Sequence, residues 1–351
     1  MKKIIWFFFS GLIPLSVIII ALYLFDPYQL YHKPILRKTI FASDMYYQAA
    51  GIINNYDFDS IILGSSIMVN TSSNEVSKKL GNKWVNLSAG GASVEIRTDI
   101  LTYALENRNI GNVIFSLEPG WLFGKNDAIN RYTYLYDQNR LNDFQTYFDT
   151  YFIACFFIHK ICLKGQENLD RPANWINEPS TKMRLGGFQS WLNNAKRLDL
   201  NSAIKQISSF QQTEYSKTTQ EIYHPLVELL KKYPNTKFIF IIPPFSRLSY
   251  KLNFVSIQDA LKNLLELKLK NVLVYGFDNT SIPDDLSRYV DLVHYDEKVN
   301  SFMIDAIKND THRITLENIN SYFKEMQKKV EDYDIHSLQR QIKESGVLQN
   351  Q

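Results

Sequence analysis

Ser60-Ile61-Ile62-Leu63-Gly64-Ser65-Ser66-Ile67-Met68 is the stretch on which the reading of this chain turns. The short apolar run Ile61–Leu63 shows no alternation, so it suits a strand buried on both faces of a parallel sheet. Gly64 follows at once and permits a sharp turn. The serines behind it then stand at the carboxyl end of a strand, where doubly wound sheets bind their ligands.

Runs of the same kind recur outward from this one. They are Trp84-Val85-Asn86-Leu87, Val113-Ile114-Phe115-Ser116-Leu117, Lys237-Phe238-Ile239-Phe240-Ile241-Ile242 and Val272-Leu273-Val274-Tyr275. Helix signals separate them. Ser72 with Glu75 makes a capping box, and Gly81 supplies the stop. Ser93 precedes a helix with Ile96, Ile100, Leu101 and Ala104 on one face, ending near Gly111. Ser256 with Asp259 opens a third helix, carrying Ala260, Leu261, Leu264 and Leu265, and a last one carries Val299, Phe302, Met303 and Ala306. Strands alternating with helices predict an α/β fold with a doubly wound parallel sheet.

The N-terminus reads differently. Lys2 and Lys3 precede an uncharged run from Ile4 to Phe25, as long as the roughly 20 residues a transmembrane helix needs. The run ends Ala21-Leu22-Tyr23-Leu24-Phe25-Asp26-Pro27, with no small-x-small cleavage site for a signal peptidase. Trp6 and Tyr23 lie near its ends, where interfacial aromatics belong. The two lysines predict an N-terminus inside and everything after Asp26 outside: a single-pass protein of the bacterial cytoplasmic membrane with a periplasmic or extracellular domain.

The net charge of +3 in 351 residues gives no bias toward nucleic acid. Two cysteines, Cys155 and Cys162, cannot build a disulfide framework; on a helix they share a face but sit about 10 Å apart along the axis, too far to bridge. The six histidines show no metal-ligand spacing, and no cofactor is implied.

The alternation fails between about 125 and 233, where aromatics including Tyr132, Tyr134, Tyr136, Phe144, Tyr147, Trp175 and Trp191 gather. Such a length does not suit a structureless loop, so a mostly helical insertion is expected. Its aromatics would form its own core, cap the site, stack on sugar rings, or meet the bilayer through Tyr151 to Leu163. The chain thus divides into an anchor (1–25), a connector (26–56), an α/β domain (57–316) with its insertion, and a polar helical tail (317–351).

Candidate chemistry lies just past the strands. After the second strand, Asn86-Leu87-Ser88-Ala89-Gly90-Gly91-Ala92-Ser93 leaves backbone N–H groups open at a helix start, an anion or oxyanion site. Late in the chain, Asp291-Leu292-Val293-His294 puts an aspartate within reach of a histidine ring nitrogen. The same spacing recurs at Glu221-Ile222-Tyr223-His224. Glu118 at a strand end is a candidate substrate contact, or else a loop-side carboxylate. Arg247, after Pro243-Pro244-Phe245-Ser246, would hold an anionic group or else be solvated.

In combination and order, these blocks resemble the SGNH, or GDSL-type, hydrolase superfamily. Gly64-Ser65-Ser66 looks like its Gly-Asp-Ser block, with Ser65 in place of the aspartate and Ser66 at the nucleophile position. Asn86–Ser93 looks like the second block, with Gly91 at the oxyanion glycine, and Asp291-x-x-His294 looks like the last. The resemblance spans roughly 57–310 and leaves the insertion unmatched. With the anchor, it is closest to the branch that includes teichoic-acid D-alanine transfer and alginate-acetylation proteins. It implies a flavodoxin-like three-layer sandwich.

One block departs. The family's Gly-x-Asn-Asp normally follows the third strand, but here Ser116-Leu117-Glu118-Pro119-Gly120-Trp121 does. A literal Gly124-Lys125-Asn126-Asp127 comes later; either the loop is longer and Asn126 still supplies an oxyanion donor, or the match is chance. The expected function is an extracytoplasmic serine acyltransferase or esterase acting on O-acyl groups of an envelope polysaccharide. Its partners would be that polysaccharide or an acyl-donor membrane protein. Ser66 would be the nucleophile with Ser65 as fallback, His294 the base and Asp291 its orienting group. The alternative is an SGNH-fold binding or scaffold protein in polysaccharide modification or export. A third reading takes Gly90-Gly91 as a phosphate cradle, but no Walker lysine follows.

Overall fold

The computed structural model describes residues 2–35, 37–118, 132–148, 165–211, 216–217 and 221–349, except for the side chains of residues 2–11, 216 and 217. The central sheet has strands β1 (Ser60–Leu63), β2 (Trp84–Asn86), β3 (Asn112–Ser116), β4 (Lys237–Ile242), β5 (Val272–Gly276) and β6 (Arg313–Ile314). Their order across the sheet is β2-β1-β3-β4-β5-β6. All pairs are parallel except the last, in which Arg313 faces Tyr275 and Ile314 faces Val274. The parallel part runs 2-1-3-4-5, one of the two common doubly wound orders, and its switch point lies between β1 and β3.

Twelve α-helices of six residues or more lie among the described residues. They are α1 (Lys2–Phe25), α2 (Met45–Asn55), α3 (Ser73–Leu80), α4 (Val94–Asn107), α5 (Phe188–Asn193), α6 (Leu198–Ser208), α7 (His224–Lys232), α8 (Arg247–Leu252), α9 (Gln258–Glu266), α10 (Glu297–Lys308), α11 (Ile319–Glu331) and α12 (Ile335–Ser345).

The strand pleat explains why both faces are covered. Ile61, Leu63, Val113, Phe115, Phe238 and Phe240 point to one face, against α2, α4, α7, α9 and α11. Ile62, Ile114, Ile239, Ile241 and Tyr275 point to the other, against α3, α5, α6, α10 and α12. Neighbouring residues thus feed opposite cores, which is why these runs carry no polar alternation. The result is three layers.

Local signals act much as expected. Ser72 Oγ accepts the Glu75 N–H at 3.1 Å, and Gly81 ends α3 with φ +74°. The Glu75 carboxylate turns to Lys79 and Ser301 rather than back to the cap. At α9 the cap is Ile257, not Ser256, whose Oγ accepts the Gln258 N–H at 3.4 Å.

Three expected boundaries move. α2 is part of the core, not a connector, because Ala49, Ala50, Ile52 and Ile53 are buried in it. The tail is indeed helical but not peripheral: α11 buries Ile319, Tyr322 and Phe323, and α12 buries Ile335, Leu338 and Ile342. Likewise α7 belongs to the sandwich through Leu226, Leu229 and Leu230, so the insertion ends before it. The described part of the insertion is less helical than expected. Beyond α5 and α6 it holds single turns and 3-10 segments, broken by Pro172, Pro179 and the Gly186-Gly187 pair, whose φ values are +115° and +98°.

α1 is a 24-residue helix with Pro14 inside it. Among the described residues, no helix is long and apolar enough to cross a membrane, and the side chains of residues 1–11 lie outside that description. Asp26, at its end, is buried and ties the helix to the domain by accepting the N–H groups of Leu30 and Tyr31, each at 2.9 Å. Cys155, Cys162 and Tyr151 to Leu163 lie outside the described residues.

Candidate active site

The serine turn is shaped by its glycine. A Cβ on Gly64 would stand 2.3 Å from Met68 Cγ and 2.6 Å from Ser116 Oγ, so any larger residue must push these side chains aside. The chain then closes a turn in which Met68 N–H donates to Ser65 O at 3.0 Å. Asn86, at the end of β2, clamps the far side of this turn. Its Nδ2 donates to Met68 O (2.8 Å) and Thr71 O (2.9 Å), and its Oδ1 accepts Ser88 N–H at 2.9 Å. Ala89 N–H donates to Gly64 O at 3.1 Å, which seats the glycine loop beside the serine turn.

The loop from Tyr289 to Tyr295 comes to the same place from the other end of the chain. Tyr289 and Tyr295 form an antiparallel bridge, and Val290 N–H donates to His294 O at 3.0 Å. Tyr289 OH donates to Pro244 O at 2.7 Å, while Tyr289 O accepts Trp191 Nε1–H at 3.1 Å. The loop is thereby pinned to the segment after β4 and to α5 of the insertion.

Ser66 Oγ and His294 Nε2 are 2.7 Å apart. On the other side of the ring, His294 Nδ1 lies 2.8 Å from Asp291 Oδ2 and 3.0 Å from Oδ1. Asp291 Oδ1 also accepts the N–H groups of Val293 (3.0 Å) and His294 (2.9 Å), so the short x-x spacing fixes carboxylate and ring as one unit. Ser66 is the member of the serine pair that meets the histidine, while Ser65 is buried. The imidazole and carboxylate retain 27% and 17% of their side-chain exposure, enough for a reactant to reach the ring.

Electrostatics follow from this contact. Burial alone would raise the Asp291 carboxyl, but the hydrogen bond and charge of His294, with two backbone N–H groups, hold it below the usual carboxylate range. Burial alone would lower the His294 imidazole, yet the hydrogen bond and charge of Asp291 leave it above its ordinary value. A ring so placed can take a proton from the serine hydroxyl and remain stable as imidazolium.

Gly91 has φ +70°, a conformation that suits glycine, and is exposed. Among the described residues, the N–H groups of Ser66 and Gly91 meet no acceptor. They are therefore available as anion donors. Asn126, with the rest of Gly124–Asp127, lies outside the described residues.

No family model matches this chain, and no curated protein matches it by sequence.

Two expected substrate contacts are corrected. Glu118 is buried and faces inward, where Oε1 accepts Ser65 N–H at 3.2 Å and the Ser116 hydroxyl at 2.6 Å. Its Oε2 lies 3.1 Å from Arg97 Nη1. Arg247 is buried too, and its guanidinium is taken up by Asp284 Oδ1 (2.7 Å), Asp278 O (2.7 Å) and Thr280 O (2.9 Å). Glu118 is taken up by Arg97 of α4 and by the serine turn, and Arg247, the first residue of α8, by the segment 278–284 after β5. His224 opens α7 as an exposed residue 3.6 Å from Glu228, so the second Glu-x-x-His is a helix start.

Trp175 is the contact that pattern reading did not single out. Its ring meets the His294 ring edge-on, with centroids 5.5 Å apart. Asn70, just past the serine turn, has an amide orientation in which its oxygen accepts Trp175 Nε1–H at 2.7 Å and its nitrogen donates to Ala173 O at 2.9 Å. Asp170 anchors the same segment by accepting from Ser72 Oγ (2.7 Å) and Asn74 N–H (2.9 Å). The described insertion therefore borders the triad.

Proposed function

We propose that the protein is a membrane-anchored serine acyltransferase or esterase of SGNH type, acting through an acyl-serine intermediate on O-acyl groups of an envelope polysaccharide. The observation that carries this reading is the line Ser66 Oγ–His294 Nε2, 2.7 Å, with Asp291 behind the ring at 2.8 Å. His294 takes the Ser66 proton as Oγ attacks the acyl carbonyl. The alkoxide of the tetrahedral intermediate is received by the free N–H groups of Ser66 and Gly91. His294 then returns the proton to the leaving oxygen, and an acceptor hydroxyl or water repeats the sequence in reverse. The strand order 2-1-3-4-5 agrees with the flavodoxin-like sandwich that the family resemblance implies.

The anchor rests on the uncharged run Ile4–Phe25 and on α1, where Leu12, Ile13, Leu15, Val17, Ile18 and Ile20 are each about half exposed or more. Apolar side chains exposed around a helix fit lipid better than water. The domain would then face the envelope, where its partner would be an envelope polysaccharide or an acyl-donor membrane protein.

One observation favours the scaffold alternative. Two residues past β3, where the family expects a donor nearby, stands Glu118, an acceptor turned inward. Loss of one oxyanion donor costs on the order of 100- to 1,000-fold in rate. Such a loss slows acylation and deacylation alike, so hydrolysis would be slow, and transfer would be the productive route only where a held acceptor regains rate by proximity. The test is to incubate the full-length protein in detergent with a small activated ester, with and without candidate polysaccharide, and to assay both free acid and polymer-bound ester. Transfer to polymer supports the reading. Fast hydrolysis with no polymer ester makes it an esterase, and neither product makes it a scaffold.

A further inference from the structure

Beneath the serine turn lies an ion pair with no surface to serve. Arg97 and Glu118 have side-chain exposures of 0% and 1%. Placing two charges there is costly, and a well-packed apolar pair is commonly as stable or more so. What an apolar pair would lack is the set of directed bonds seen here. Glu118 Oε1 accepts Ser65 N–H at 3.2 Å, one residue before the nucleophile, and the Ser116 hydroxyl at 2.6 Å. Arg97 Nη1 reaches Glu118 Oε2 at 3.1 Å, and donates to Ser116 O at 2.8 Å and Ser116 Oγ at 3.1 Å. Arg97 Nε donates to Ser93 O at 3.2 Å, at the start of α4 and the end of the glycine loop. The guanidinium also lies over the Phe115 ring, 4.9 Å from its centroid.

The pair therefore touches three segments at once: the serine turn after β1, the glycine loop after β2 and the end of β3. These are the segments that meet at the switch point of the sheet. Being neutral as a pair, it adds no net charge beside the site, so its effect is geometric. Ser66 N–H and Gly91 N–H belong to two of these segments, and the distance between them depends on what joins the segments.

We propose that Arg97 and Glu118 are positioning residues for acyl transfer, which set the Ser65-Ser66 backbone against the glycine loop so that the two free N–H groups converge on one oxyanion. The proposal rests on the reading of Ser66 as nucleophile. It takes Glu118 from a candidate substrate contact to a support one step behind the reacting atoms.

The test uses full-length protein in detergent and three variants. Glu118→Gln keeps a carbonyl acceptor but strips Arg97 of its counter-charge, and Glu118→Ala removes the acceptor. The double variant Arg97→Met with Glu118→Gln leaves no unpaired buried ion, so it is the one to read if the single variants fail to fold. Two readouts are taken: kcat and KM for a small activated ester, and backbone hydrogen exchange of the segment 64–68, with β4 as internal control. In the folded double variant, kcat should fall about 10- to 100-fold, the scale of a small misplacement of reacting groups. KM should stay within about twofold, because the binding surface is untouched. The pH midpoint of the reaction should not move, since Asp291 and His294 are unchanged. Exchange in 64–68 should rise about tenfold or more while β4 stays protected. A wild-type kcat in the folded double variant, or unchanged exchange in 64–68, overturns the proposal. If the wild-type protein shows no Ser66-dependent turnover, the enzymatic reading fails separately, and exchange alone decides whether the pair sets the turn.

Discussion

Replacing Asp291 with asparagine separates a working triad from a fortuitous cluster. The substituted side chain keeps an oxygen for the N–H groups of Val293 and His294, which Asp291 Oδ1 now accepts at 3.0 and 2.9 Å. The loop should therefore hold its shape. The other atom, now an NH2 group, would face His294 Nδ1 at the 2.8 Å position. Two donors cannot face each other, so the ring must adopt the tautomer with its proton on Nε2. That proton would then point at Ser66 Oγ, 2.7 Å away, and the ring could no longer accept the hydroxyl proton. The expected loss in kcat is about 10⁴-fold, roughly 5 kcal/mol of barrier. The pH profile should move as well. In the wild type, the hydrogen bond and charge of Asp291 prevail over burial and hold His294 above its ordinary value. Activity requires the neutral ring, so it should fall as pH drops through that raised value. Without Asp291, burial and the charge of Arg184 lower the ring against the weaker pull of Asp199, and the residual activity should extend to lower pH. The assay is kcat/KM for a small ester from pH 5 to 9, with circular dichroism to show an intact fold. A loss under tenfold with an unmoved midpoint would refute the assignment of Asp291.

Three further outcomes are expected. Gly64→Ala should destabilise the protein by about 1–3 kcal/mol in urea titrations, because the new Cβ meets Met68 and Ser116 inside van der Waals distance; a wild-type midpoint would contradict the close packing. Trp175→Ala should lower kcat for a small ester about 2- to 10-fold, the scale of one lost ring–ring contact against His294; Trp175→Phe should recover part of it, and no change in either would make the contact incidental. A reporter fused after Gln351 should read as extracytoplasmic, and a cytoplasmic signal would reverse the orientation drawn from Lys2 and Lys3.

The sheet was legible because parallel strands bury both faces, and a short apolar run without alternation has few other uses. β6 was not, since Arg313-Ile314 is too short to carry a pattern and exists only by pairing with β5. The meeting of Ser66, His294 and Asp291 was legible for a related reason. These residues sit immediately after strands or on a tight loop, where position along the chain implies position in space. Glu118 and Arg247 misled because a charge at a strand end looks available until the loops that cover it are known. The signal for Arg97 was present: an arginine stands between Ile96 and Leu101 on the buried side of α4, where only a partnered charge is tolerated. Trp175 lay among the many aromatics of the insertion, and nothing local distinguished it as a neighbour of His294. The boundary at the tail moved because α11 and α12 carry a narrow apolar stripe on helices that are otherwise polar, and the one at α2 because its apolar residues carry no motif that assigns them to the sandwich.

The central claim is that Ser66 is an activated nucleophile, and covalent labelling tests it most directly. Full-length protein in detergent is treated with a fluorophosphonate, digested, and the modified residue located by mass spectrometry. The account predicts one label, on Ser66, abolished in Ser66→Ala and strongly slowed in His294→Gln, because only a hydroxyl 2.7 Å from the imidazole is activated. An unlabelled protein, or a label on another serine that persists in Ser66→Ala, would contradict it.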